Sequence, residues 1–215
     1  MKPYRLQLLQ FLKPTDHIDR SNFCIKMQDA MTEGFLDRVV FSDKSTFHIS
    51  GKVHRHNVRI WGTENPNEMV QHERASPKIN IFCAMSTRTV DGPFFFREDT
   101  VTGTSYLEML QTWLLPRLQE DEPEDFIMQQ DGAPPHFCLD ICWLNDVLPR
   151  RWIGRGPHED LMFCPWPARS PDLTPCDYFL WGYVKDKVFV PPQPMSIPDL
   201  RTELPRLWRP SHLTC

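Results

Sequence analysis

Proline is the residue that most limits how this chain can fold. It occurs 21 times in 215 residues, against 9 glycines. Average usage is about 5% proline and about 7% glycine, so proline is in excess and glycine is scarce. Proline lacks a backbone N–H, and its ring collides with the preceding turn of a helix. Prolines spread along the whole chain therefore exclude long uninterrupted helices and an all-helical bundle. A packed core remains available, because 40% of the residues are apolar and 24% charged, which excludes wholesale disorder. One α/β domain with arms or tails is the expectation at this length.

Lysine and arginine total 24 and aspartate and glutamate 28, a net charge of −4. A free-standing, non-specific nucleic-acid binder is usually basic overall, so any such contact has to come from a local patch. No apolar run approaches the ~18 residues that span a bilayer, and no membrane partner is expected. Met1-Lys2-Pro3-Tyr4-Arg5-Leu6-Gln7 carries no signal-peptide apolar stretch, and a soluble, intracellular protein is expected. The seven cysteines are odd in number and sit mostly in apolar surroundings such as Ile81-Phe82-Cys83-Ala84. They read as reduced core residues. Cys138, Cys142 and His136 lack the four-ligand spacing of a closed zinc centre, so no zinc site is expected.

Residues 1–34 read as a helical arm. Pro14-Thr15-Asp16 is a turn, a helix opens at Asp19 or Ser21 toward Glu33, and Gly34 stops it. Strand signals follow. Phe35 to Ser42 is β-branched and aromatic and ends at Asp43. Thr46 to Ile49 and Val58 to Trp61 are further candidates, and Lys78 to Met85 is the strongest. Asp91-Gly92-Pro93 turns the chain into Phe94-Phe95-Phe96, completing an antiparallel meander. Leu107, Leu110, Leu114 and Leu118 then recur near helical period across Ser105 to Leu118. Glu120 to Asp125 is a polar loop, and Phe126 to Gln130 is a short strand ending at Asp131. Phe137, Ile141, Leu144 and Leu148 predict another helix, Leu161 to Cys164 a last strand, and Tyr178 to Val190 a helix closed by Pro191-Pro192. Ser196-x-x-Asp199 is spaced as the cap of a short helix. The order predicts an α/β fold, with a mixed sheet of an antiparallel meander and then parallel strands, and flanking helices.

Three aspartates stand at corners of this plan. Asp43 and Asp131 each follow a buried-looking strand, and Asp177 opens a helix after a proline-rich bridge. Sites in open α/β sheets gather at strand ends. Three aspartates reaching one point could hold hard divalent cations through oxygen. Two such ions about 3.5–4 Å apart serve phosphodiester chemistry. Taken singly, each position also fits a turn former or a helix N-cap.

The surrounding words carry a resemblance. Phe41-Ser42-Asp43, then Gln129-Gln130-Asp131-Gly132-Ala133-Pro134-Pro135-His136, then Ser170-Pro171-Asp172-Leu173-Thr174-Pro175-Cys176-Asp177-Tyr178-Phe179-Leu180-Trp181-Gly182 resemble the catalytic domain of mariner-type transposases. These belong to the DDE/D nucleases, whose fold is RNase H-like. The resemblance implies an RNase H-like catalytic domain over residues 35–190. A linker-like arm over 1–34 precedes it, and a Pro-rich, short-helical, truncated tail over 191–215 follows. It implies that Asp43, Asp131 and Asp177 are the catalytic residues and the ligands of Mg²⁺ or Mn²⁺ in a two-metal site. The implied activity is hydrolytic nicking of DNA, then attack of the freed 3′-OH on target phosphodiesters. The implied partners are DNA and a second copy of the chain, and the implied compartment is the nucleus. Asp172 is not the family's third ligand and reads as a turn or capping residue.

Several features depart from the family. Its helix-turn-helix recognition region is expected to be missing here, so autonomous transposition is not expected. Lys44 stands where relatives usually place an acid, although strand alternation would turn it to the other face. The interval between Asp131 and Asp177, 45 residues, is longer than in better-known relatives. The excess is placed around Pro149 to Gly156. The run Leu204 to Pro210 reads as a helix broken by proline. The alternative function is a catalytically inactive transposase remnant that binds nucleic acid or protein.

Lys52, His54, Arg55, His56 and Arg59 lie between Gly51 and Trp61 without an acidic residue, and Arg74 and Lys78 follow. Arg150, Arg151 and Arg155 form a second cluster. Such groups supply sequence-independent phosphate contacts, or a solvated face. Lys52, Arg55, His56, Arg59, Arg150 and Arg151 are the candidate DNA contacts. His136, five residues after Asp131, either orients a ligand or phosphate or fills a capping or core role. Trp61, Trp166 and Trp181 read as core residues rather than stacking platforms.

Overall fold

The computed structural model describes residues 11–31, 34–49, 76–136, 139–157 and 159–208. Six strands form one sheet: β1 (Val39–His48), β2 (Lys78–Met85), β3 (Val90–Phe95), β4 (Ile127–Gln129), β5 (Trp152–Gly154) and β6 (Cys164–Pro165). Their spatial order is β3-β2-β1-β4-β5-β6. β1, β2 and β3 pair antiparallel, and β4, β5 and β6 continue the sheet parallel to β1. This is the mixed α/β sheet, meander first and parallel strands second, of the RNase H-like plan.

Alternation along the strands divides the core. Val40, Phe82, Met128 and Trp152 face the helices that join β3 to β5. These are α2 (Gly103–Met109), a π turn (Leu110–Leu114), α3 (Leu115–Asp121) and α4 (Leu139–Val147). Phe47, Ile79, Ile81 and Cys83 face the other way, onto α5 (Trp181–Val188) and α6 (Ile197–Leu207). On that same face Val39, Ile127 and Ile153 meet Phe23 and Trp166, and Phe23 belongs to α1 (Pro14–Ala30).

Several elements differ from the sequence expectation. α1 begins at Pro14, in the expected turn, because proline suits the first helical position and Asp16 accepts a hydrogen bond from the Lys13 N–H at 2.7 Å. The two strand candidates around Asp43 are one strand, with β2 pairing to it without a break from Phe41↔Met85 to His48↔Lys78. Val58 to Trp61 lies outside the described residues. The helix after β3 runs through Pro116, placed just beyond the π turn where the regular hydrogen-bond ladder is already shifted. β5 occupies the segment read as a surplus loop, and all three of its residues are buried. Its Gly154 hides it from a propensity reading. The glycine is needed because a Cβ there would stand 2.7 Å from the Trp152 ring. β6 replaces the expected strand Leu161 to Cys164, since Glu159–Leu161 is a 3-10 turn.

α6 corrects the expectation of a proline-broken end. Ser196 caps it by accepting from the Asp199 N–H, and the helix continues through Pro205 to Leu207. Pro205 lies on the exposed side, so the carbonyl it leaves unpaired can meet water. Leu200, Leu204 and Trp208 point the other way, into the core.

Candidate active site

The parallel register puts two of the three aspartates side by side. Phe41 pairs with Gln129 across β1 and β4, and Gln129 pairs with Ile153 across β4 and β5. Extended by two residues, the same register brings Asp43, Asp131 and Arg155 level at the carboxyl ends of the parallel strands. Asp43 was expected just past a strand. It sits inside β1 instead, because the strand outlasts its parallel neighbour and stays paired with β2. Asp177 lies in the π turn Cys176–Leu180 that leads into α5.

Hydrogen bonds fix each carboxylate differently. Asp43 is 6% exposed, and its Oδ2 accepts a bond from the Trp181 indole N–H at 2.6 Å. Burial, then the charges of Asp177 and Asp131, pushes its pKa up to about 8. Asp177 is at the exposed rim. Desolvation of its carboxylate, then the charge of Asp131, pushes it up to about 6, and a hydrogen bond with Asp43 opposes that rise. Asp131 also loses water on burial, yet hydrogen bonds from His136 and Ala133, with the charges of His136 and Lys44, hold it below the ordinary carboxylate value. His136 Nδ1 donates to Asp131 Oδ1 at 2.7 Å, and the Ala133 N–H donates to the same oxygen at 3.0 Å. The His136 ring is buried and stacks on Tyr106 at 4.1 Å between centroids. Of the roles open to His136, it fills both a core position and an orienting one toward Asp131.

Two residues of this centre escaped the sequence reading. Trp181, read only as core, is the donor to Asp43. Lys185 lies near Asp177 and Asp43, whose charges oppose the fall in pKa that its burial causes. Asp177, Trp181 and Lys185 recur every four residues, which puts them on one side of a helix. That spacing was the available signal.

The donor set fits hard divalent cations in type and charge. The side chains are oxygen ligands, and the burial and neighbouring negative charge that raise Asp43 and Asp177 are what a bound cation would offset. Among the described residues, no three His, Cys, Asp or Glu side chains are already drawn together as a metal-holding group. No helix among the described residues is long and apolar enough to cross a membrane.

An open cleft of about 890 Å³ runs past Asp131 and Asp177. α1 forms one wall with Phe23 and Lys26, and Gly132, Arg155 and the 164–171 segment form the rest. Phe23 meets Trp166 edge to face at 5.3 Å. Arg20 grips both oxygens of Asp172, at 2.8 and 2.5 Å, and Arg169 pairs with Asp16. Asp172, in the first turn of the 3-10 helix Pro171–Leu173, is thus the anchor of α1.

The candidate DNA contacts divide. Lys52, Arg55, His56 and Arg59 lie outside the described residues. Arg150 and Arg151 sit before β5, at the opposite end of that strand from Arg155 and the aspartates. Arg151 donates to the Glu124 carbonyl, and its guanidinium lies over the Phe126 ring at 5.6 Å. Lys44 pairs in register with Phe82, on the face away from Asp43.

No family model matches the chain, and no curated protein matches it. Solved structures do. The Mos1 transposase in a paired-end complex with the left transposon end superposes with a TM-score of 0.73 at 18% identity, over 97% of this chain and 59% of that one. The chain therefore spans about 59% of the length of that protein. The catalytic domain of the Mos1 mariner transposase gives a TM-score of 0.61 at 19% identity, over 94% of this chain and 85% of that one. The same catalytic domain with raltegravir and Mn gives 0.64 at 20% identity, over 93% and 84%. The chain has the fold of the mariner transposase catalytic domain.

Proposed function

We propose that this chain is a DDE/D-type domain that cuts and joins DNA with Mg²⁺ or Mn²⁺ held by Asp43, Asp131 and Asp177. The observation that carries the reading is the placement of these three side chains, with Asp43 level with Asp131 in the extended β1–β4 register and Asp131 and Asp177 both lining the open cleft. They come from β1, the turn after β4 and the π turn before α5, and each acts on the pKa of another. Mutual crowding of carboxylates at strand ends, beside an open cleft, is a recurring design for divalent-ion sites. Bound there, two ions would supply an activated water or hydroxyl and stabilise the leaving oxygen. The chain's own residues have separate tasks. Trp181 holds the Asp43 carboxyl in place. His136 and Ala133 occupy one oxygen of Asp131, which leaves the other to ligation. The likeness to a Mos1 complex with a transposon end supports DNA as the substrate, and action on chromosomal DNA would put the chain in the nucleus.

A second reading, a binding module without catalysis, has one observation in its favour: the three carboxylates are not already gathered as a metal-holding group. Supercoiled plasmid with Mn²⁺ separates the two. Wild type should nick it, and Asp131→Asn should lower nicking by about 10²-fold or more, the scale lost when one group stabilising transition-state charge is removed. Equal nicking by both proteins, or none by either, would leave only the binding module.

A further inference from the structure

We infer that Asp91, Asp121 and Glu122 form a site for one hard divalent cation of the calcium type, where the end of α3 meets the edge strand β3. The site is separate from the cleft aspartates and does not rest on the reading above. Asp91 stands opposite Ala84 in the β2–β3 register, and Ala84 packs on the α2–α4 side of the sheet. Residues directly opposite in an antiparallel pair share a face, so Asp91 is on the side that α3 covers. It is 5% exposed, and Glu122 is 8% exposed. Glu122 Oε1 accepts a hydrogen bond from the Ser86 hydroxyl at 2.6 Å, which sets the carboxylate against the β2–β3 hairpin. Its Oε2 is buried and has no hydrogen-bond partner. A buried oxygen left without a donor is costly, and a cation supplies what it lacks. Asp91 registers the same neighbourhood. Burial raises its pKa first, the charges of Asp121 and Glu122 add to the rise, and Arg117 opposes it.

The helix end attracts the same sign of charge. The helical run from α2 through the π turn to α3 ends at Asp121, where the helix dipole is negative and acids are disfavoured. Yet the last turn of α3 has no basic residue, and Glu120, Asp121 and Glu122 stand there in succession. Pro123 has no N–H, so the Gln119 carbonyl lacks its i+4 donor. Arg117 is the cation at hand, but its guanidinium lies over the Trp113 ring at 5.1 Å. Among the described residues, no ion pair includes Asp91, Asp121 or Glu122. Carboxylates and helix-end carbonyls are the oxygen donors that calcium takes, in a geometry looser than magnesium demands. Like the aspartates of the cleft, the three acids are not already drawn together. Glu122 has left helical geometry, with φ −108° and ψ 160°, so closure on the buried Asp91 would come from the α3 side.

The test is calorimetric titration of calcium chloride into the whole chain carrying Asp131→Asn and Asp177→Asn, which silences the cleft, with far-UV circular dichroism on every variant. This reference should bind one Ca²⁺, and about 100-fold excess over Kd should raise its melting temperature by about 5 °C or more. Glu122→Gln, Asp91→Asn and Asp121→Asn should each weaken binding by about 10-fold or more. Glu124→Gln, exposed in the same acidic run, should match the reference. No calcium binding, or affinity unchanged in Glu122→Gln, overturns the site. An equal loss in Glu124→Gln also overturns it, since diffuse attraction to an acidic surface would then be enough. If the buried variants do not fold, the exposed Asp121→Asn decides, and unchanged affinity there overturns the site. If the reference does not fold, wild type is titrated instead, and each of the three substitutions should lower its ion count by one; an unchanged count overturns the site. The nicking assay bears on the cleft alone, so either proposal can fail without the other.

Discussion

Asp43 shows how one residue can be visible in a sequence while its setting is not. Its position after a β-branched, aromatic run marked it as a candidate. Its burial within a strand was hidden, because Asp43-Lys44-Ser45 interrupts the apolar pattern that normally signals strand continuation. The pairing that keeps the strand going comes from β2, where Asp43 pairs with Cys83, far away in the sequence; local pattern carries no trace of it. The setting has a measurable result. A carboxyl whose folded pKa is raised contributes stability below its unfolded value and loses it as pH rises through the folded value. With Asp43 raised to about 8 and Asp177 to about 6 from the ordinary carboxylate value of 3.8, the ion-free protein should lose stability from about pH 4 to about pH 8. Asp43→Asn should flatten most of that decline in thermal melts run with chelator, and an equally steep decline in the variant would refute the assignment. Added Mn²⁺ should raise the wild-type melting temperature more at the alkaline end, where both carboxyls are ionised.

At the level of elements, β2 matched its reading residue for residue because Ile79, Ile81 and Phe82 put β-branched and aromatic residues through an eight-residue run. β5 was missed for the opposite reason. Three residues, one of them glycine, give no periodicity, and their strand character comes from lying between β4 and β6. α1 was legible as a helix but not as a wall. Its docking depends on Arg20 and Asp16 meeting Asp172 and Arg169, pairs more than 150 residues apart in the chain. The two acids have lowered pKa values, through the Arg169 hydrogen bond to Asp16 and the Arg20 hydrogen bond to Asp172. The attachment should therefore persist above the ordinary carboxylate range and fail as pH falls through the lower folded values. Amide exchange across residues 14–30 should accelerate in acid before that of β1 and β2, and Arg20→Ala with Arg169→Ala should produce the same pattern at neutral pH. Simultaneous release of α1 and the strands would contradict it.

For the whole molecule, the plan of the sheet was legible, since the meander and the later helix–strand alternation are each local patterns. The role of the C-terminal region was not. Prolines made it look like a tail, yet α6 covers part of the β1–β2–β3 face together with α5. Leu204 is fully buried there, so Leu204→Ala should cost about 2–5 kcal/mol in urea unfolding, against little for the exposed Arg201→Ala. A loss near zero for Leu204→Ala would mean that α6 is not part of the cooperative unit. The continuity of β1 past Asp43 has a final consequence. A residue bonded to neighbouring strands along a ten-residue span cannot travel, whereas Asp131 rides on a turn and Asp177 on a distorted helical start. Any tightening of the three acids must come from the latter two swinging in toward a stationary anvil.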